Sequence, residues 1–217
     1  MTSTSWTKTP SAVFALAAAV LWLGAAPAGA SPEQEARQAL RQTLDELLAV
    51  LKDPRVGSEQ KLADLTVAAE RRFAIERMSA LVLGRENRRK LTPEQRAEFL
   101  QEFKRHILTT YAGSLMRVSE EKVEVTSSRL ERNGDVTVFS RVVGGSADGL
   151  ELGYRMRSRE GPWLILDVFI DGVSVARNFR SQVQEIVATQ GVEELIRTLR
   201  EKNRRAAAER AEEAAGG

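Results

Sequence analysis

The 217-residue chain contains no cysteine and a single histidine, His106. Without cysteine the chain cannot form disulfides, thiolate metal sites or a thiol nucleophile. One histidine, with no cluster of histidines and carboxylates, argues against a transition-metal site. The 32 basic residues nearly balance the 30 acidic ones, so no overall field directs the protein to nucleic acid.

The apolar run near the N-terminus of the chain is also too short to span a membrane. Residues 12–23 form an apolar run of about a dozen residues, whereas a spanning helix needs roughly 20. Pro27 and the small residues 28–30 follow, in the A-x-A form of a signal-peptidase site. We therefore predict a secretory signal peptide over residues 1–30, cleaved after Ala30. No cysteine follows the run and no Arg-Arg pair precedes it, which favours the general secretion route and an unlipidated product.

Helical periodicity dominates both ends of the remaining chain. Residues 31–33 and 92–95 each combine a capping hydroxyl with a proline at the first helical position, and Gly84 and Gly191 end later helices. Residues 31–200 suit one domain, and residues 201–217, mainly Arg, Ala and Glu, predict a charged, solvated tail. Apolar stripes mark the first two helices: Leu40, Leu44, Leu47, Leu48 and Leu51, then Leu62, Leu65 and Ala69.

Beyond Met116 the apolar period changes from about four to two, which predicts strands. Asn133-Gly134 is a strong hairpin signal between the first two strands, and residues 160–162 form the turn before the fourth. Four strands joined by short turns predict an antiparallel meander. Helices before and after it predict an α+β fold, a four-stranded antiparallel meander sheet wrapped by N- and C-terminal helices.

The fourth predicted strand, residues 164–170, is apolar on both faces apart from Asp167. A half-buried strand should alternate apolar and polar residues. The surplus apolar faces indicate either an ordinary filled core, as in an adaptor without a ligand, or an interior that encloses an apolar cavity. The composition does not separate these two possibilities.

Asp167 is the strongest candidate for catalysis because it interrupts an apolar strand. The simpler interpretation is a buried carboxylate paired with Arg155 or Arg157. His106 lies on the helix predicted to begin at Pro93, with no nucleophile motif nearby, and Asp171 precedes a glycine as an ordinary turn residue. A small acid-base enzyme that uses Asp167 on a cone-shaped α+β fold therefore stays open as an alternative.

A local basic run also requires an interpretation. It contains no interleaved aromatic residue, which a stacking surface for nucleic acid would require. It predicts a solvated segment, or a site for an anionic partner or headgroup. The run comprises Arg85, Arg88, Arg89 and Lys90.

Ordered segments along the chain resemble the MlaC-type family, the periplasmic phospholipid-binding proteins of the Mla lipid-transport system, also called toluene-tolerance proteins. No single motif is decisive, but the segments occur in the right order over nearly the whole mature chain. The segments are residues 80–84, 91–96 with Phe99 and Phe103, 110–115, 163–174 with Phe179, and 191–195.

This resemblance implies a soluble, monomeric periplasmic carrier without cofactor, metal or catalytic residues. Its cargo would be a phospholipid whose acyl chains lie in an apolar cavity between sheet and helices. Its partners would be an outer-membrane lipoprotein complex and an inner-membrane ABC transporter complex. A subset of the family is associated with hopanoid lipids, which leaves a hopanoid carrier as an alternative. Apolar periodicity and the resemblance together predict a cavity wall of Leu81, Phe99, Phe103, Ile107, Tyr111, Leu115, Tyr154, Met156, Val168, Ile170, Phe179 and Val183.

Overall fold

The computed structural model describes residues 30–117 and 122–216. The predicted signal peptide therefore lies, apart from Ala30, outside the described residues. Eleven elements follow one another in the described part of the chain: α1 (Pro32–Lys52), α2 (Ser58–Arg72), α3 (Ile75–Lys90), α4 (Pro93–Arg117), β1 (Lys122–Leu130), β2 (Val136–Val143), β3 (Glu151–Arg157), β4 (Leu164–Ile170), β5 (Val173–Ser174), α5 (Val175–Gln190) and α6 (Val192–Gly216).

Two helices begin with the capping boxes that the sequence predicts. At α1, the Gln34 amide donates to Ser31 Oγ at 3.3 Å, and Ser31 N donates back to Gln34 Oε1 at 3.0 Å. Thr92 and Gln95 make the same reciprocal pair at the start of α4, at 3.2 and 3.0 Å. Each box satisfies two backbone donors that have no partner within the helix.

Helix α3 is interrupted at Gly84, where φ is 73° and ψ is 164°. The sequence predicts that the helix ends at Gly84, and the first helical segment does end there. A second short segment then continues to Lys90. Glycine permits the interruption because a side chain at this positive φ would be strained.

The strands form one antiparallel sheet in the order β1-β2-β3-β4-β5. The α+β fold and the four-strand meander are confirmed, with one additional short strand. Asp171 and Gly172, at φ 47° and 79°, turn the chain back so that Val173 pairs with Ile170. Two central residues with positive φ match the right-handed twist of a hairpin. A strand of two residues is too short to show an alternating pattern, which is why the sequence did not predict it.

The hydrophobic interior consists of two clusters. The sheet cluster joins α1 to the inner face of the sheet, through residues such as Leu40, Val138 and Met156. The helix cluster joins α3, α4, α5 and α6. Phe73 and Val168 are half-buried and pack against both clusters, so they mark the place where the two parts of the interior meet.

Helix α6 extends beyond the boundary at residue 200 that the sequence suggests. Asn203 is buried, and its Nδ2 donates to the backbone oxygen of Glu102 at 3.0 Å and to Glu102 Oε2 at 2.7 Å. The packed part of the domain therefore includes at least one further turn of α6. Within the described residues, no helix is both long and apolar enough to cross a bilayer.

Candidate functional site

An apolar cavity of about 280 Å³ lies between the inner face of the sheet and the helices. This volume is near the lower end of the range for small-molecule sites, roughly 300–1,000 Å³. Every element from α1 to β4 contributes to its wall, as does the first residue of α5. The lining residues are Leu40, Thr43, Leu44, Leu47, Leu48 and Leu51 of α1; Leu62, Leu65, Thr66 and Ala69 of α2; Phe73; Ile75 and Met78 of α3; Phe103, Ile107 and Leu108 of α4; Val123, Val142, Ala147, Leu150, Leu152, Tyr154, Ile165, Val168 and Ile170 of the sheet and its loops; and Val175.

Among these lining residues there is no charged side chain. Thr43 and Thr66 donate their hydroxyl hydrogens to carbonyl oxygens of their own helices, at 2.8 and 2.7 Å. Burial raises the pKa of Tyr154 to about 12, although the neighbouring Ser140 hydroxyl acts in the opposite direction, so the phenol stays neutral. A cavity with this lining can bind hydrocarbon, and it offers no group that would stabilise an ion.

The first two helices supply the largest part of the wall. Ten lining residues come from α1 and α2, and both leucine stripes face the cavity. Leu47 and Leu48 are only half-buried, so the protein itself leaves part of their surface uncovered. The sequence predicts both stripes, but the predicted cavity wall does not include them. The sequence did contain an indication that α1 lines a cavity, because α1 carries more leucine than contact with a single sheet face requires.

Five of the twelve residues predicted for the cavity wall border the cavity. They belong to α4 and to strands β3 and β4. Helix α4 reaches the cavity only past its second turn, which explains why some members of its apolar stripe border it and others do not. These five are Phe103, Ile107, Tyr154, Val168 and Ile170.

The structure places five of the other predicted residues elsewhere. Phe99, Met156, Phe179 and Val183 are buried within the two clusters without bordering the cavity. Phe99 stacks on Phe103 at 5.7 Å between ring centroids, and Phe179 meets Phe103 edge-on at 5.9 Å. Leu81 is 42% exposed, because Met78 and Val82 form the buried face of α3. The side chains of Tyr111 and Leu115 lie outside the described ones.

Asp167 is a buried structural carboxylate. It accepts hydrogen bonds from Ser174 Oγ at 2.7 Å, from the Ala176 amide at 3.0 Å and from Arg155 Nη2 at 3.2 Å. The predicted pairing with Arg155 is confirmed. The carboxylate does not border the cavity, and its three donors fix β3, β4 and the first turn of α5 relative to one another.

The other catalytic candidates are also placed by the structure. The His106 ring meets Phe179 edge-on at 5.4 Å between centroids, and burial lowers its pKa, with a further lowering by Lys202. Asp171 is exposed in its turn, where Oδ1 lies 3.4 Å from the Glu151 amide. In the described parts of the chain, no group of three or more histidine or acidic residues could hold a metal ion.

A second concavity of about 660 Å³ lies on the outer face of the sheet. Gly153 forms its floor between Phe139 and Phe169, and Arg129 and Arg155 lie over these two rings at 5.8 and 6.0 Å. This groove is shallow and charged, and both arginines already have carboxylate partners. The recessed apolar cavity is therefore the better candidate for a binding site.

Comparison with known proteins gives a consistent result. The chain is 24% identical over 103 residues to the toluene tolerance protein ttg2D of Pseudomonas putida and spans about half the length of this curated relative, 48% of each chain being covered. It is also similar to the solved structure of a phospholipid-binding protein from Ralstonia solanacearum in complex with a phospholipid. That similarity has a TM-score of 0.72 and 25% identity, and it covers 80% of this chain and 99% of the other. The model of the MlaC protein family matches residues 41–201, most of the chain, and the protein therefore belongs to the MlaC family.

Proposed function

We propose that the protein is a phospholipid carrier of the periplasm, which holds acyl chains in the apolar cavity. It moves lipid between an outer-membrane lipoprotein complex and an inner-membrane ABC transporter complex, and it acts as a monomer. The observation that carries this proposal is a recessed cavity whose described lining has no charged side chain. The fold similarity to the phospholipid-bound Ralstonia protein supports the same cargo.

The physical reason for such a carrier is the cost of exposing hydrocarbon to water. Two long acyl chains contain on the order of 30 methylenes, and at ~0.8 kcal/mol each their exposure costs ~25 kcal/mol. Lipid therefore does not cross an aqueous compartment quickly without a protein that covers its chains. The carrier breaks no bond, so it requires no catalytic residue.

The acyl chains would contact the leucines of α1 and α2 together with the residues from α4 and the sheet that border the cavity. Each of these side chains offers methyl or ring surface, and a hydrocarbon chain gains dispersion contacts along its length. The phosphate headgroup would remain outside this apolar lining, because burying an unpaired charge is costly. Phe103, Ile107, Tyr154, Val168 and Ile170 are the predicted residues that we retain for this role.

Mass spectrometry of lipid extracted from the purified protein tests the proposal most directly. We expect phospholipid with two acyl chains in the extract. A polycyclic triterpenoid in its place would assign the hopanoid alternative. A lipid-free preparation that also takes up no phospholipid from vesicles would refute the proposed function.

A matched pair of variants tests whether the cavity is the binding site. Leu48→Trp adds a large ring at a half-buried position of the lining, and we expect less lipid per protein molecule. Leu130→Trp adds the same ring on β1, where Leu130 is 49% exposed and does not border the cavity. Equal lipid content in the two variants would exclude this cavity as the site.

A further inference from the structure

The second segment of α3 presents cations without carboxylate partners. Four basic side chains are exposed between residues 85 and 90, and none of them forms an ion pair with any described residue. Some exposed arginines elsewhere in the protein have partners, such as Arg141, which lies 2.7 Å from Glu151, and others, such as Arg41 and Arg77, have none among the described residues. The α3 segment differs in that four such cations lie within six consecutive residues. The four are Arg85, Arg88, Arg89 and Lys90.

Helix α5 adds a fifth cation at the same place. Gly84 lacks a side chain, and a Cβ atom there would lie 3.4 Å from Nη2 of Arg180. The Arg180 guanidinium therefore lies against the interruption of α3, directly before the basic segment. Arg180 is exposed and also has no carboxylate partner in the described part of the protein. We refer to residues 85, 88, 89, 90 and 180 as the α3 basic surface; Glu86 is the one carboxylate within residues 85–90.

An exposed apolar side chain adjoins this surface. Leu81 lies in the turn of α3 just before Gly84 and is 42% exposed. A bulky aliphatic group next to several long basic side chains is typical of segments that bind at the interface of a membrane. The residues of the α3 basic surface include no aromatic side chain.

We propose that the α3 basic surface binds the surface of an anionic phospholipid bilayer. Specific protein interfaces depend on a few anchors, often Trp, Tyr or Arg, that fill well-packed pockets on the partner. These cations are instead exposed and unpaired on one short helical segment, which suits a partner recognised by its density of negative charge. The function proposed above does not require such binding, and binding would not require lipid in the cavity.

The position of the surface relates it to the cavity. The helices α3 and α5, which carry the basic side chains, pack against each other. The same helices border the cavity through Ile75, Met78 and Val175. Contact between the basic surface and a bilayer would therefore hold two elements of the cavity wall close to the lipid.

Flotation with vesicles tests this inference on the protein expressed from its full sequence. We expect the protein to float with vesicles of phosphatidylglycerol and phosphatidylcholine in equal parts, but not with vesicles of phosphatidylcholine alone. Salt at 1 M should release it, because the Debye length then falls to about 3 Å. Flotation that is independent of phosphatidylglycerol or of salt would overturn the proposal.

Two charge-matched variants locate the binding surface. In the test variant the four basic residues between positions 85 and 90 are replaced by glutamine. Each lost cation should weaken binding roughly fivefold, and the four together by roughly several hundredfold. In the control variant the same number of charges is removed from exposed arginines that have carboxylate partners, and binding should remain. The control substitutions are Arg55→Gln, Arg129→Gln, Arg141→Gln and Arg197→Gln.

The remaining outcomes are decisive as well. Circular dichroism establishes that both variants are folded, and the lipid content of the same preparations reports on the cavity separately. Equal loss of flotation in both variants would show that binding depends only on the net charge of the protein, which would overturn the proposed surface. Failure of the unmodified protein to float, with retention on immobilised polyglutamate, would assign the surface to an acidic protein instead.

Discussion

Ser174 donates a 2.7 Å hydrogen bond from its hydroxyl to Oδ2 of Asp167, and both side chains are buried. The Ser174 hydroxyl in turn accepts from the Arg177 amide at 3.0 Å and caps α5. The Ala176 amide donates to the other carboxylate oxygen at 3.0 Å. A single carboxylate on β4 therefore satisfies both the capping residue and a free amide of the first turn of α5.

Asp167→Ala should lower the free energy of unfolding by about 3 kcal/mol. The substitution leaves the Ser174 hydroxyl and the Ala176 amide without an acceptor, and each unsatisfied buried donor costs roughly 1–3 kcal/mol. Urea denaturation at constant m-value measures the change. Asp45→Ala is the control, because Asp45 is exposed on α1 and should change stability by less than about 0.5 kcal/mol. Similar values for both variants would contradict the structural role of Asp167.

The single histidine should titrate below its usual range. Burial lowers the pKa of His106, Lys202 lowers it further, and a hydrogen bond with Asn203 only partly opposes them. Because His106 is the only histidine, its ring signal in an NMR titration can be assigned without ambiguity. We expect a midpoint below 6.5, and a midpoint above 6.5 would show that the ring is solvated or has gained an acidic partner.

The same shift makes stability depend on pH in a defined direction. Between 6.5 and the lower folded pKa, the unfolded chain binds a proton at His106 that the folded protein does not. The contribution of His106 to the free energy of unfolding should therefore be fully retained above pH 6.5 and decrease as the pH falls through this window. His106→Gln should remove this part of the pH dependence. A variant that keeps the full slope would place its origin in other groups.

Phe99→Ala should separate stability from lipid binding. Phe99 is fully buried in the helix cluster but does not border the cavity. Removing a buried phenylalanine typically costs 3–5 kcal/mol, so we expect a loss of about 4 kcal/mol with unchanged lipid content in the folded fraction. Phe103→Ala is the comparison, since Phe103 borders the cavity and should change both quantities. Loss of lipid from folded Phe99→Ala protein would contradict this separation.

Gly84→Ala should destabilise the protein by about 1–3 kcal/mol, because its backbone lies in a region that other residues rarely adopt. The new Cβ would also come within 3.4 Å of Arg180. Gly57→Ala provides a matched control. Gly57 has φ −69° and no atom within 4 Å of an added Cβ, so its substitution should be neutral or stabilise by up to about 1 kcal/mol. Thermal unfolding of the two variants measures the difference.

Local signals in the sequence predicted the elements well, whereas contacts between distant residues could not be predicted. The capping box at Thr92 involves only four adjacent residues, and its two partners, Thr92 and Gln95, lie within one helical turn of each other. The buried pair of Glu102 and Asn203 joins residues 101 positions apart, and no periodicity indicates such a pairing.

The cavity wall was predicted only in part for a related reason. Phe99 and Phe103 occupy the same apolar stripe of α4, but one contacts only protein and the other also borders the cavity. Both environments are apolar, so hydrophobic spacing does not distinguish them. The leucines of α1 and α2 have the same ambiguity, since a stripe facing a cavity and a stripe facing a core have the same sequence pattern.

Phe73 and Val168 contact both hydrophobic clusters and also border the cavity. If acyl chains fill the space between these clusters, the cargo becomes part of the protein interior. Loading would then stabilise the fold by mass action, by about 2.7 kcal/mol at a lipid concentration one hundred times Kd. Unfolding of the loaded protein would be a single transition at higher temperature, and removal of lipid would lower that temperature. By the same linkage, a protein that accepts the lipid must bind it with a free energy at least as favourable as the binding free energy that this protein loses on release.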